Sequence, residues 1–343
     1  MTRSPTFPAH GLRAMASALV AVAALTLGVD ATAQNKGLDE PMRASYKKSL
    51  QGRTVAFVPA AMAIDLAQGW ARGLKAELEP LGVKVVIRDA NFSTQAGAQA
   101  LTQLIAEKPD AIIVHNFDIT TYAKLIDQAE KAGIPIVQIN MGATTQSTAY
   151  VGVDWVDIGE VQAQAAVDAC KGKSGKVSLV QGALTAAASA YTLKGIENVF
   201  AKNPQIKVVS NQSADWDPSK AKAITQTVLK QHPDLCAVVG FWDAMDRGTA
   251  AAVKDAGLTG KVAVITEGGN ETQAACDMVK SGAFDFYVGY SVPNQAANLA
   301  SVVKFLLSAG VKANTFKGQM YTTLTPITKA NASIEGTCWA LAK

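Results

Sequence analysis

The sequence predicts an α/β protein of two similar doubly wound lobes, and three observations carry that expectation. Runs of β-branched residues alternate with helix-patterned stretches from Arg53 onward, the signature of parallel βαβ units. The same rhythm restarts at Lys176. Strand-like runs also end abruptly in polar residues, most clearly in G-I-P-I-V-Q-I-N-M-G from Gly133 to Gly142. There Gly133 suits the end of a preceding helix, Pro135 can open a strand, and Ile134, Ile136, Val137 and Ile139 need cover on both faces. In an open α/β sheet ligands bind outside the carboxyl ends of the strands, so Asn140 and Met141 stand where a ligand would lie.

Taken in order, T-V-A-F-V-P is the first strand, 63–79 a helix broken by Pro80-Leu81-Gly82, and V-K-V-V-I-R the second strand. Helix 94–107, strand D-A-I-I-V-H-N, helix 120–132, the strand after Gly133 and a fifth strand A-Y-V-G-V complete one doubly wound unit. A helix begins at Asp154. The second unit runs through strand K-V-S-L-V-Q-G, helix 186–201, strand 206–211, helix 218–231 and strand L-C-A-V-V-G. Helix 244–256, strand K-V-A-V-I-T, helix 271–280 and strand D-F-Y-V-G-Y close it. A long helix from Pro293 to Leu307 and a strand over 318–324 remain, too little for a third domain, so they should return to the first lobe.

The first 33 residues differ from the rest. Arg3 and Arg13 precede an apolar run over 14–29, and Ala31-Thr32-Ala33 fits the small-residue cleavage rule, so 1–33 reads as a secretory signal peptide and 34–52 as a polar leader. The apolar run is too short and wrongly flanked for a transmembrane helix, and no later stretch would insert directly into a membrane. Losing Arg3, Arg13 and Asp30 lowers the formal net charge of +4 by one. That balance, with scattered basic residues, gives no reason to expect nucleic-acid or anionic-membrane binding. Export permits disulfides. Cys170, Cys236, Cys276 and Cys338 could stay as buried thiols or pair in any of three ways, with Cys276–Cys338 favoured because it would tether the C-terminal tail. Their spacings match no metal site, and no cofactor is expected.

With these elements placed, the chain resembles the periplasmic substrate-binding proteins of ABC transporters, in the ribose-binding group of the type I fold. The resemblance rests on G-W-A-R-G, P-I-V-Q-I-N, V-Q-G before a small-residue run, A-D-W-D-P, F-W-D-A-M-D-R-G-T-A, V-I-T-E-G-G-N and Y-S-V-P-N-Q, in that order over more than 250 residues. It implies two Rossmann-like lobes joined by three crossovers, near 152–154, 290–293 and 324–326. The N-terminal lobe would hold 53–153 with 293–324, and the C-terminal lobe 154–292 with 325–343. It further implies a monomeric receptor that captures a small polar solute such as a sugar or polyol, closes on it by a hinge motion, and delivers it to a membrane permease.

The resemblance also places the candidate ligand-binding residues. Asp65 and Leu66 fall where ribose binders carry sugar-sandwiching aromatics, and Asp65 could instead cap a helix. Asn140 and Met141 replace an Asp-Arg pair, and Ala190 replaces a second arginine, with Ser189 and Tyr191 beside it as substitute hydroxyls. Trp216 matches an aromatic position and would line the cleft, covering the C–H surface of a polyol, in preference to simple core packing; Trp242 replaces an asparagine and could equally serve core packing. Glu267 matches a hydroxyl-binding aspartate, with Asn270 nearby as a competing helix cap, and Ser291 stands for a hinge-edge amide. His115 ends the third strand at the same sheet edge as Asn140.

Enzymatic chemistry has little support, since there is no G-x-S-x-G, H-E-x-x-H or C-x-x-C motif and E-G-G-N lacks the spacing of a nucleotide-binding loop. An exported hydrolase using Asp65, Glu267 or His115 is therefore disfavoured. A periplasmic sensor module, or a receptor for a planar nucleoside-like solute, remains the alternative. Related transcription regulators carry an N-terminal helix-turn-helix where this sequence has its signal-like stretch.

Overall fold

The computed structural model describes residues 41–269 and 272–338. The expected signal peptide lies outside the described residues, as do 34–40 of the leader, Asn270 with its competing cap, Glu271 and 339–343. By internal contacts the chain divides into 1–43 and 44–343, and the second unit carries everything below. Described from Pro41–Leu50, α1 ends the leader, and its last residue, Leu50, is fully buried in the core.

Two six-stranded sheets organise this unit. The first is built from β1 (Thr54–Val58), β2 (Lys84–Ile87), β3 (Ala111–Val114), β4 (Ile136–Asn140), β5 (Ala149–Gly152) and β11 (Gly318–Tyr321). The second contains β6 (Lys176–Gln181), β7 (Lys207–Ser213), β8 (Ala237–Gly240), β9 (Ala263–Gly268), β10 (Phe286–Tyr290) and β12 (Leu324–Ile327). Both follow one order: β2-β1-β3-β4-β5-β11 and β7-β6-β8-β9-β10-β12. All pairs are parallel except β10 with β12, which run antiparallel. The β3 and β4 strands are buried along their lengths and β1 in all but its first residue, Thr54, as continuous apolar runs covered by helices on both faces must be.

The helices pack by stripe. In α2 (Asp65–Leu78) the buried Leu66, Trp70, Leu74 and Leu78 recur every four residues, one face of a helix. The returning α10 (Val292–Ser308) docks on it, and the Trp70 indole N–H donates to the Gln295 side chain at 3.0 Å inside this contact. In the second lobe, α5 (Trp155–Ala169) is capped by Asp154, which accepts from the backbone N–H of Val156 and Asp157. The α6 (Ala187–Phe200), α7 (Pro218–Gln231), α8 (Asp243–Asp255) and α9 (Thr272–Ser281) helices complete the layers.

The chain passes between the sheets three times: from β5 to α5, from β10 to α10, and from β11 to β12. The third passage comes at Thr322 and Thr323, earlier than 324–326, because Leu324 already pairs with Tyr290. The single strand expected over 318–324 is thus two short strands, one in each sheet. Both cysteine pairs form disulfides, the favoured Cys276–Cys338 and also Cys170–Cys236, so buried free thiols are corrected; both bridges lie in the second lobe. Among the described residues no helix is long and apolar enough to cross a membrane.

Candidate functional site

The order β2-β1-β3 reverses direction at β1, and β7-β6-β8 does the same at β6, so each sheet has a switch point whose carboxyl end opens a crevice. The two crevices face one another. Between them lies a cavity lined from both lobes. The first lobe supplies Leu66, Phe92, His115, Phe117, Asn140 and Met141. The second supplies Trp155, Trp216, Phe241, Trp242, Glu267 and Tyr290, with Ala188 at the start of α6. The lobes are in contact around it: the Ile119 N–H donates to the Thr185 carbonyl at 2.9 Å, and Ala186, Ala187 and Tyr290 are buried in the first lobe's core.

Asn140, the last residue of β4, holds the junction. Its backbone turns into the left-handed region at φ 63°, tolerable for Asn, and its carbonyl accepts from the Trp155 indole at 2.7 Å and the Tyr150 hydroxyl at 2.6 Å. Its side-chain amide nitrogen is buried and has no partner. His115 is 2% exposed and stacked edge-on against Trp70 at 4.9 Å between centroids, with neither ring nitrogen hydrogen-bonded. Burial pushes its pKa down to about 3, against a smaller opposing effect of the Asn140 side chain, so the imidazole is neutral.

On the facing wall Trp216 also has a left-handed backbone, φ 64°, an outlier for a bulky side chain. Its ring lies where a side chain at Gly182 would stand, and it meets Trp242 edge-to-face at 6.1 Å. The Trp242 indole nitrogen is buried without a partner. Glu267, at 1% exposure on β9, has one unpartnered carboxylate oxygen. Its carboxyl is pushed well above the ordinary range, first by burial and then by Asp243 and Asp246, with a hydrogen bond from Tyr290 opposing. Tyr290 itself is held well above the usual phenol range by burial, Glu267 and Asp243, while the nearby Asn140 side chain opposes that shift. One hydroxyl thus faces both lobes.

Seven of the ten sequence-derived candidates line this cavity: Leu66, His115, Asn140, Met141, Trp216, Trp242 and Glu267. Three do not. Asp65 is the exposed first residue of α2, outside the cavity lining, its carboxylate suited to the helix N-terminus, while the cap position belongs to Ile64. Ser189 sits one residue beyond the lining Ala188, and the helix turns it inward to full burial. Ser291 caps α10 by accepting from the Asn294 N–H, and strand alternation gives the inward position to Tyr290 instead. Tyr191 points to a separate groove with Tyr150 and Tyr321. Sequence reasoning passed over Phe92, Phe117, Trp155, Phe241 and Tyr290. Each lies within three residues of a strand end or helix start that it did identify, and a search for aromatics at every strand tip would have found most of them.

Two lobes with one sheet order, a deep cleft at their switch points and unpaired polar groups facing that cleft define a clamshell binding protein. Residues 55–310 match the periplasmic binding protein domain, and the chain belongs to that family. It is 29% identical over 187 residues to the ribose import binding protein of Bacillus subtilis, an alignment covering 54% of this chain and 60% of that protein. It is 29% identical over 254 residues to the xylitol-binding protein of Mycolicibacterium smegmatis, covering 74% and 70% respectively. The fold also matches an ABC transporter solute-binding protein from Agrobacterium vitis bound to α-D-tagatopyranose, with a TM-score of 0.75 at 23% identity over 85% of this chain and all of that one. These relatives are named as binding proteins rather than enzymes.

Proposed function

We propose that this protein is the periplasmic solute receptor of an ABC importer. It holds a small, uncharged, sugar- or polyol-like solute between its lobes and presents the closed form to a membrane permease. The observation that carries this reading is the set of unpartnered polar atoms on His115, Asn140, Trp242 and Glu267, all around one aromatic-walled cavity. Buried polar groups are rarely left unpaired, and an orphan set drawn from both lobes is satisfied together only by a molecule lying between them. Trp216, Trp155 and Tyr290 offer flat faces to the C–H surface of such a molecule. The resemblance in sequence to ribose and xylitol binders supports the same class. Export by cleavage after Ala33, free solubility and a monomeric receptor complete the proposal.

The test is a thermal-shift and calorimetric panel of sugars, alditols, inositols and nucleosides on refolded, ligand-stripped protein. A solute that binds only the folded state raises the melting temperature by mass action. At least one neutral polyhydroxy compound should do so and be recovered unchanged. A panel in which none does, or recovery of a chemically altered product, rejects the reading.

A further inference from the structure

Beside the solute cavity a second groove crosses the hinge, along the crossovers at 152–154 and 322–323. In it Gln138, Tyr150 and Tyr321 of the first lobe face Asp154, Val156 and Tyr191 of the second. At Asp154 and Tyr321 it continues into an acidic stretch with Asp157, Glu160 and Thr322. Trp155 lines both this groove and the solute cavity. The Tyr150 hydroxyl and the Trp155 indole, both in the groove's wall, are the donors that hold the Asn140 carbonyl.

Its side chains have the chemistry of a cation site. Asp154, Asp157 and Glu160 recur every three residues from the cap of α5, a stripe of about 9 Å along the helix. No lysine or arginine lines the groove, and among the described residues none of the three carboxylates is paired with one, in a chain of net charge +4. Asp157 is pushed up from the ordinary carboxylate range by partial burial and then by Asp154 and Glu160. The positive end of α5 accounts for Asp154 and Asp157, but not for Glu160 a turn further on. At the same end the Thr322 hydroxyl, 6% exposed, has no hydrogen-bond partner. At the other end stand Tyr150, Tyr191 and Tyr321, the first and last with ring centroids 5.7 Å apart, and aromatic faces attract ammonium groups. Among the described residues no group of acidic, histidine or cysteine side chains could hold a metal ion, so a compact ion does not answer the stripe. A long one does.

We propose that this groove is a second binding site, for a linear organic cation of the polyamine class, and that a cation lying in it tightens solute binding. Its nitrogens pair with the carboxylate stripe and donate to the Thr322 oxygen, while its far end rests on the tyrosine rings. Because the groove's walls belong to both lobes, such a ligand makes its full set of contacts only at the approach of the lobes seen here, which is also the approach that encloses the solute. The coupling rests on the reading of the central cavity as the solute site. The cation site does not.

Spermidine, titrated calorimetrically at physiological ionic strength, should bind the parent saturably. Asp157→Asn with Glu160→Gln, which leaves the Asp154 cap intact, should weaken it by about tenfold or more, and Tyr191→Ala by about threefold. Putrescine should compete better than magnesium ion, which has the same charge. No saturable binding, equal binding in the parent and the folded double variant, or magnesium competing as well as putrescine overturns the site. A lysine tripeptide that binds where spermidine does not gives the groove to a protein segment and overturns it too. For the coupling, saturating spermidine should contract the ligand-free parent in small-angle scattering and raise the affinity of the tightest-binding neutral solute of the panel by about fivefold. Neither should occur in the double variant, whose solute affinity without spermidine should equal the parent's. Unchanged solute affinity in the spermidine-loaded parent overturns the coupling. Failure of every solute rejects the receptor reading alone, because the spermidine titration and the scattering use no solute.

Discussion

Asn140 ends β4 in the first lobe and Trp216 follows the edge strand β7 in the second, and both have left-handed backbones, φ 63° and 64°. They are supported differently. Asn140 is buried and its carbonyl is pinned by Trp155 and Tyr150, whereas Trp216 is half-buried and rests on the open space above Gly182 with Trp242 against its edge. The same contrast runs through the walls. The first lobe presents a neutral imidazole and an amide on a core without a cross-link; the second presents aromatic faces and the buried carboxyl of Glu267 on a lobe held by two disulfides. One topology used twice therefore yields a fixed polar wall and an apolar, acidic one. Strain at the two tips, about 1 to 3 kcal/mol each where a bulky residue is concerned, persists because the surrounding packing over-determines them.

The largest break in this comparison should come from the disulfides. The bridges close loops of 66 and 62 residues, both within the second lobe, and on chain-entropy grounds each contributes about 4 kcal/mol. Reduction should lower the urea midpoint and expose second-lobe sites first in limited proteolysis. Cleavage that starts in the first lobe would show that the lobes do not differ in this way.

Next is the apolar wall. Trp216→Ala should weaken solute binding by about 1 to 3 kcal/mol, read by calorimetry, through lost contact area. Gly182→Ala should weaken binding in the same direction, because a β-carbon there occupies the space of the indole ring. A normal affinity in Gly182→Ala would mean that the ring's place on Gly182 does not matter.

The buried titrating groups of the two lobes should act in opposite directions. His115 stays neutral in the fold down to about 3 against an ordinary 6.5, so the unfolded chain binds more protons in that window and stability rises with pH across it. Asp246 is raised from 3.8 to about 7, so there the folded chain binds more protons and stability falls as pH rises. Over the shared window, 3.8 to 6.5, the slopes oppose each other. Asp246→Asn combined with Glu267→Gln, since Glu267 is raised in the same direction, should uncover the rising slope and His115→Gln the falling one, the former approaching about 1.4 kcal/mol per pH unit in denaturation midpoints taken against pH. Parallel profiles in the two variants would remove the contrast.

The smallest effect separates strain from recognition at Asn140. Asn140→Gly and Asn140→Ala both delete the amide and should lose binding equally. The glycine variant should be the more stable by about 1 kcal/mol, because only alanine is strained at this φ.

Much of this was legible in the sequence. Strand tips were readable because buried parallel strands are apolar runs that stop at a polar residue, which is how Asn140 and His115 were found, while the family resemblance placed Trp242 and Glu267. The motif A-D-W-D-P marked Trp216 in the same reading. Two kinds of information were not local. Side-chain direction at a helix start or strand end depends on one residue of register, so Ser189 and Ser291 were chosen where Ala188 and Tyr290 line the cavity. Partners brought together by folding leave no spacing signal, as with the Cys170–Cys236 bridge and with the two strands separated by Thr322 and Thr323.

The central claim is that one solute bridges two different walls and closes them. Small-angle scattering of ligand-stripped protein, with and without the tightest-binding neutral solute of the panel, tests it directly, because a ligand drives closure only through contacts unique to the closed form. The parent should contract on binding, and Trp216→Ala and Asn140→Ala should contract less at the same subsaturating solute, with all three ligand-free curves alike. Equal contraction in parent and variants would show that the cleft between Asn140 and Trp216 is not where the solute is held.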